Sequence, residues 1–109
     1  MKYLIEQLSD AERFLNELEL STKLKFAKVF RKVQEGNNTA EDFKKLQGTK
    51  NIFEFRVKDR GAWFRILAFM THYDGDALAT IVATHGFKKK TNKTPQSEID
   101  KAEQIKRDF

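Results

Sequence analysis

The sequence predicts an α+β fold, with an N-terminal helical hairpin and a C-terminal helix around a small antiparallel β-sheet. Three observations support this prediction. Apolar residues recur at helical spacing between residues 9 and 35, the period changes to two from Ile52, and a helix start follows at Thr94 and Pro95. Helices at both ends of an antiparallel meander are typical of α+β folds, with one sheet face covered and the other partly open.

Length and composition narrow the class of protein. A chain of 109 residues forms one domain of ordinary size, so we assign residues 1–109 to a single domain. The absence of cysteine excludes disulfide scaffolds, cysteine-ligated zinc sites and thiol nucleophiles. No apolar run approaches membrane-spanning length, and the N-terminus lacks the apolar core of a signal peptide. We therefore expect a cytoplasmic protein that does not contact a membrane.

The N-terminal half predicts a short strand followed by two helices. Residues 2–7 predict the strand, and Ser9 with Glu12 forms a capping-box pattern that starts the first helix. Ser21 or Thr22 is the predicted N-cap of the second helix, and Gly36 is its predicted end. The positions of the second helix that we expect to face the core are Leu20, Leu24, Phe26, Ala27, Phe30 and Val33.

A further helical turn and three strands are predicted next. Residues 39–46 predict the turn, capped by Thr39 and held by Phe43 and Leu46. In the first strand of the meander, Phe53, Phe55 and Val57 point one way while Glu54, Arg56 and Lys58 point the other. Turns at 58–61 and 73–76 then bound a central strand, 62–71, and a third strand, 77–87. Thr94 as N-cap and Pro95 as first helical residue predict a last helix from Gln96 to about Arg107.

The positive charge is concentrated in the predicted sheet and in the loop after it. Residues 50–93 hold nine basic and four acidic side chains, whereas the two flanking segments are close to neutral. Lys88, Lys89, Lys90 and Lys93 cannot be buried together, because none has an adjacent partner, so they face solvent or phosphates. The alternative interpretation is a solvated loop without function.

Arg56 and Arg65 flank the first turn of the meander at comparable distances, so adjacent antiparallel strands bring them within reach of each other. The alternative is that each arginine pairs with a carboxylate such as Glu54 or Glu98. His85 and the lysines emerge from the next strand at the same end. This arrangement predicts a phosphate-sized pocket.

These residues carry a resemblance to a known family. The segments Phe53-Glu54-Phe55-Arg56, Trp63-Phe64-Arg65-Ile66-Leu67 and the run from His85 to Pro95, followed by a terminal helix, resemble the RelE/ParE superfamily. Within it, the chain is similar to the HigB-like, phage-related toxins of type II toxin-antitoxin modules. The resemblance covers nearly the whole chain, and its most specific element is the run ending in Pro95.

The resemblance implies a ribosome-dependent mRNA endonuclease that a small DNA-binding antitoxin neutralises. The implied partners are the ribosome, mRNA and a HigA-like helix-turn-helix antitoxin, with operator DNA bound only through the antitoxin. Several relatives use a C-terminal tyrosine or histidine as acid or base, whereas this chain ends Lys106-Arg107-Asp108-Phe109. A general base therefore cannot be carried over by motif.

The chemistry that we expect is metal-independent attack of an RNA 2′-hydroxyl on its neighbouring phosphate, which needs a base, an acid and cations around the developing charge. We expect no bound metal and no cofactor. The candidate catalytic residues are Arg56 and Arg65 for charge stabilisation, and His85, Lys88 and Lys90 for proton transfer. The alternative for His85 is a strand-end histidine that is hydrogen-bonded to the backbone. The candidate RNA-binding residues are Lys58, Trp63, Phe87, Lys89 and Lys93.

Two other functions fit the same sequence. A noncatalytic nucleic-acid-binding module would explain the charge and the aromatic residues equally well. A ParE-like gyrase poison would share the fold and would damage DNA while leaving mRNA intact.

Overall fold

The computed structural model describes residues 1–89 and 93–109. Its elements are β1 (Tyr3–Gln7), α1 (Ser9–Asn16), α2 (Leu20–Glu35), β2 (Phe43–Lys45), β3 (Phe53–Asp59), β4 (Ala62–Thr71), β5 (Ala79–Lys89) and α3 (Gln96–Asp108). The strands form one five-stranded sheet in the order β1-β5-β4-β3-β2. The mixed α+β class is confirmed. In the described part of the chain, no helix is long and apolar enough to cross a membrane.

The sheet is mixed, so the prediction of an antiparallel sheet was wrong at one edge. Strands β2 to β5 pair antiparallel, but β1 pairs parallel to β5, with Tyr3 opposite Ala79 and Gln7 opposite Ala83. The two helices that follow β1 allow this arrangement, because parallel neighbours need a long crossover rather than a tight turn.

Each face of the sheet carries its own apolar cluster. On one face, α1 and α2 pack against alternate residues of β3, β4 and β5. On the other face, α3 places Ile99 and Ala102 against Leu67, Phe69 and Val82. The predicted alternation of β4 is confirmed, since its two faces enter the two different clusters. Helix α3 covers only part of its face of the sheet. The part of that face nearest the β3–β4 turn is therefore left to polar and charged side chains.

The predicted inward face of α2 is confirmed for Phe26, Phe30 and Val33, which pack in the core, and wrong for Leu20, Leu24 and Ala27. Its buried residues are Thr22, Phe26, Val29 and Val33, whereas Leu20, Leu24 and Ala27 are exposed. The sheet receives the stripe that carries an aromatic ring and two branched side chains, which fill the space above the strands. The predicted stop at Gly36 is confirmed, because Gly36 has the left-handed φ of 75° that glycine adopts without strain.

The predicted helix caps were wrong. Helices α1, α2 and α3 start after Leu8, Glu19 and Pro95, and none of these residues provides a side-chain cap. The hydroxyl groups that were expected to cap bind elsewhere: Ser21 and Thr22 donate to Asp59, and Thr94 donates to Glu54.

The predicted helical turn over residues 39–46 is present only in its first half, where the amides of Asp42 and Phe43 donate to the carbonyl of Thr39. Phe43–Lys45 is strand β2, which pairs with β3, although Phe43 and Leu46 are buried as expected. The ring of Phe43 stacks on Phe53 and packs against Phe55, so the sheet takes this segment as its edge strand.

Candidate functional site

Two cross-strand rows of side chains lie near the β3–β4 turn, on the sheet face that α1 and α2 do not cover. The rows are Lys58–Trp63–Lys89 and Arg56–Arg65–Phe87, each crossing β3, β4 and β5. We call these six residues the basic face. The rows follow from alternation along three neighbouring strands, because a period of two puts every second residue on the same face. The predicted convergence of Arg56 and Arg65 is confirmed, since the two are direct cross-strand partners.

Arg65 lies at the bottom of the basic face in an ion pair. Its side chain has no exposed surface, and its Nε lies 3.1 Å from Oε1 of Glu54, which is itself buried. Burial lowers the pKa of Arg65, and the Glu54 carboxylate opposes this shift. In this conformation Arg65 touches no solvent, so any influence on a ligand at the basic face would come through its electric field and not through direct contact.

Arg56 lies nearer the surface. Its side chain is 11% exposed, and its Nε lies 3.8 Å from Oε2 of the same Glu54. The expectation that the arginines pair with Glu54 is therefore also realised. One carboxylate serves two guanidinium groups, so positive charge is left in excess beneath the basic face.

Trp63 is surrounded by cations. The guanidinium carbons of Arg56 and Arg65 lie 5.0 Å and 5.7 Å from the centre of its ring, and Nζ of Lys58 lies 5.2 Å away. The indole is half-buried, which leaves part of it open to solvent. A flat ring among cations is suited to stacking a nucleic-acid base while the cations hold its phosphates.

A groove of about 460 Å³ runs along this edge of the basic face. Its lining residues are Glu41, Asp42, Arg56, Lys58 and Trp63. Its volume is within the range of small-molecule sites in proteins. Asp42 is paired with Lys32, so Glu41 is the lining carboxylate that would repel an anionic ligand.

Thr94, just before α3, lies beside the buried Arg65–Glu54 pair at the basic face. Its hydroxyl donates to Oε1 of Glu54, and Nη1 of Arg65 approaches the same oxygen of Thr94 at 3.4 Å. The start of α3 is thereby attached to the buried ion pair. Lys93, next to Thr94, is exposed as expected. Lys90 lies outside the described residues.

His85 is buried, contrary to its predicted role in proton transfer. Its ring is 2% exposed; Nε2 lies 3.1 Å from Glu98 and Nδ1 lies 3.0 Å from the hydroxyl of Thr84. Burial lowers the pKa of His85, Lys101 adds to this, and Glu98 opposes it. Because both ring nitrogens are engaged beneath α3, the ring is not open to a substrate at the basic face.

Lys88 does not join the basic face. It pairs with Phe64 across the strands, and its Nζ lies 5.5 Å from the Phe64 ring on the opposite side of the sheet. Lys88 and Lys89 are consecutive in a strand, so they must point to opposite faces. Of this pair, Lys89 alone lies on the basic face.

Sequence reasoning missed three features of the site. A β-bulge at Thr84 shifts the register between Leu67 and Ala68, and bulges are common beside functional sites. Glu41 and Asp42 line the groove because β2 is a strand. Thr94 acts on Glu54 instead of capping α3. The only sequence signal for any of these was the alternation that places Glu54 on the same face as Arg56.

Within residues 1–89 and 93–109, no group of three or more histidine, aspartate or glutamate side chains is placed to hold a metal ion.

The fold is similar to solved RelE structures. The free E. coli toxin RelE, in a form with two arginines replaced by alanine, matches with a TM-score of 0.58 at 18% identity, covering all of both chains. The intact E. coli RelBE toxin-antitoxin complex matches with a TM-score of 0.55 at 15% identity, covering 84% of this chain and 99% of the other. The RelE-RelB complex of Pyrococcus horikoshii OT3 matches with a TM-score of 0.50 at 16% identity, covering 85% and 100%. The molecule thus has the fold of a RelE-like toxin.

The sequence places it more narrowly. Residues 13–107 match the family model described as "Phage derived protein Gp49-like (DUF891)". The chain therefore belongs to the Gp49-like phage-derived family, a RelE/HigB-type toxin family, and the predicted resemblance is confirmed. No curated protein matches the chain significantly.

Proposed function

We propose that this protein is the toxin of a type II toxin-antitoxin module and that it cleaves mRNA on the ribosome without a metal ion. The observation that carries the proposal is the position of Arg56 above the buried Arg65–Glu54 pair and beside Trp63, in an open groove. The family and the RelE-like fold support it.

The proposed reaction is attack of an RNA 2′-hydroxyl on the adjacent phosphate: the P–O2′ bond forms and the P–O5′ bond breaks, which leaves a 2′,3′-cyclic phosphate and a 5′-hydroxyl. Solvent water takes up the 2′-hydroxyl proton and supplies the proton of the leaving 5′-oxygen. The developing charge on the phosphate needs preorganised cations. Arg56 can grip two phosphate oxygens at once, and Arg65 strengthens the positive field from below. Lys58 and Lys89 follow the backbone on either side of Trp63, which stacks a base.

The proposed partners are the ribosome, its bound mRNA and an antitoxin. Two of the similar solved structures are RelE with RelB, and we extend an antitoxin partner to this chain. We propose that a neighbouring reading frame encodes it as a helix-turn-helix protein of the HigA type, which alone contacts operator DNA.

The test is induction of the protein in a bacterial host, followed by mapping of mRNA ends during growth arrest. We expect new 5′ ends inside translated reading frames, and none when translation initiation is blocked beforehand. An Arg56→Ala variant at equal soluble expression should lose most of these ends.

Three outcomes would contradict the proposal. DNA damage with intact mRNA would instead identify a gyrase poison. RNA binding without cleavage would identify a binding module. Normal growth and protein synthesis at confirmed soluble expression would exclude a toxin.

A further inference from the structure

The outer side of α2 carries an apolar stripe. Leu20 is 70% exposed and Leu24 is 59% exposed, and Ala27 follows, also exposed. Positions separated by four and then three residues line up on one side of a helix. An amphipathic helix normally presents polar residues on this side, and the second half of α2 does so with Lys28 and Arg31.

The two leucines form a patch rather than scattered exposed residues. In the part of the chain that the structure describes, the other large exposed apolar side chains are at the N-terminus, on edge strand β1, or packed on each other. Tyr73 and Phe109 are 6.4 Å apart between ring centres, and Leu4 on β1 is only 37% exposed. Leu20 and Leu24 lie one turn apart with their side chains in solvent.

Positive charge flanks the stripe along α2, and Glu19, at the N-terminal end beside Leu20, is paired with Arg60. Lys25 and Lys32 are in ion pairs with Asp59 and Asp42. Lys23, Lys28 and Arg31 form no ion pair with any residue of 1–89 or 93–109. These three cations are therefore available to an acidic partner. They also oppose docking of a second copy, because two such surfaces would bring like charges together.

We propose that Leu20, Leu24 and Ala27 form a docking stripe for an acidic amphipathic helix of the antitoxin. The partner helix presents apolar side chains to the stripe and carboxylates to the flanking cations. The inference rests on the proposed function for the existence of this partner. It adds where the partner binds and with what chemistry.

The position of the stripe determines how such a partner would act. Helix α2 covers one face of the sheet, while the basic face lies on the other side. A helix docked on the stripe leaves Arg56 and Trp63 uncovered. Neutralisation then comes from the added bulk, which keeps the basic face from reaching mRNA within the ribosome.

The experiment measures binding of the purified product of the adjacent reading frame by calorimetry. The test variant is Leu20→Ser/Leu24→Ser, and the matched control is Leu4→Ser, another exposed leucine on a different surface. The test variant should bind about 100-fold more weakly, the effect of losing two partly buried leucines. Leu4→Ser should bind like the parent, and both variants should cleave mRNA at the parental rate.

A second variant tests the charge. Lys28→Glu/Arg31→Glu should weaken binding at least tenfold at low salt and less at high salt. If this variant binds as the parent does, the partner is not acidic and the inference fails.

The remaining outcomes separate the two proposals. If the partner binds the parent and the leucine variant equally, the docking inference is wrong while the antitoxin proposal stands. If the partner does not bind the parent, both the docking inference and the proposed partner are wrong, and mRNA cleavage is judged separately. If the parent alone is a dimer that the leucine variant disrupts, the stripe is a self-association surface and the inference is overturned.

Discussion

Arg56 and Arg65 are cross-strand neighbours, yet burial gives them different tasks. Both lie near the Glu54 carboxylate, but only Arg56 keeps exposed surface. A buried guanidinium without its carboxylate would be an uncompensated charge, so Arg65 and Glu54 depend on each other for stability. Arg56 is the arginine that can make a direct contact with phosphate.

Arg56→Ala should reduce the single-turnover rate of mRNA cleavage on programmed ribosomes by about 10²-fold, because one charge-stabilising donor is removed. Ribosome binding should change much less. Arg56→Lys keeps the charge but cannot bind phosphate in a bidentate manner, so its cleavage rate should lie between those of the parent and Arg56→Ala. A parental rate for Arg56→Ala at saturating protein would show that the arginine only assists docking.

Arg65→Met should lower the free energy of unfolding by about 3 kcal/mol, since it removes the nearer cation from the buried Glu54 carboxylate, which then keeps Arg56 at 3.8 Å and the Thr94 hydroxyl. The double variant Glu54→Gln/Arg65→Met also removes the buried negative charge and should be less destabilised than Arg65→Met alone. Urea unfolding at neutral pH measures both. A double variant as unstable as the sum of the two single variants would contradict the coupling between these residues.

At the scale of elements, hydrogen bonds to Asp59 connect α2 to the β3–β4 hairpin. Asp59 accepts them from Ser21, Thr22 and Lys25, all in the first turns of α2. These donors hold the pKa of Asp59 at about 2, below its ordinary value of 3.8, with Lys25 as the main cause. The residues predicted as helix caps thus connect two elements instead of capping one.

Asp59→Asn should therefore destabilise the fold in a pH-dependent way. A lowered pKa contributes stability that is present above about pH 4 and is lost as the pH falls toward 2. We expect parent and variant to differ in urea unfolding at pH 7 and to converge near pH 2. Asp74→Asn, in an exposed turn, is the control and should show no such pattern. A difference between parent and Asp59→Asn that does not change with pH would contradict the assignment.

Helix α1 crosses β5 at Gly86. A Cβ atom there would lie 2.1 Å from Cδ2 of Phe14, far inside contact distance. Gly86→Ala should cost about 1 to 3 kcal/mol of unfolding free energy through overpacking. Phe14→Leu should relieve part of this cost in the double variant, giving a favourable coupling energy. Simple additivity of the two changes would show that the clash is absorbed elsewhere.

The sequence predicts the strand alternation and the end of α2, but it predicts neither the helix caps nor the pairings between distant segments. Alternation at Phe53, Phe55 and Val57 located β3, and Gly36 marked the end of α2. The parallel pairing of β1, and β2 as a strand of three residues, depend on partners far along the chain. The burial of His85 was not predictable for the same reason, because Glu98 and α3 create it.

At the scale of the whole molecule, the charge is divided by the sheet. Lys88 and Lys89 are neighbours in sequence but lie on opposite faces, so only Lys89 contributes to the basic face. A uniform positive surface would attract RNA on every side. The sheet instead determines which lysines act together.

Lys89→Ala should weaken binding of single-stranded RNA and lower the slope of log affinity against log salt by about 0.7, one phosphate contact fewer. Lys88→Ala is the matched control and should leave the slope unchanged. Equal effects of the two substitutions would mean that RNA does not distinguish the two sides of the sheet.

Because β1 pairs with β5, the sheet of a newly synthesised chain cannot be completed until β5 has been translated. β1 is the first element translated, but its partner residues, 79–83, are made much later, and β5 also supplies Phe87 and Lys89 to the basic face. At bacterial synthesis rates, β1 waits on the order of ten seconds for its partner. During that interval the nascent chain carries neither a complete sheet nor a complete basic face, so the proposed activity is absent while most of the message is read.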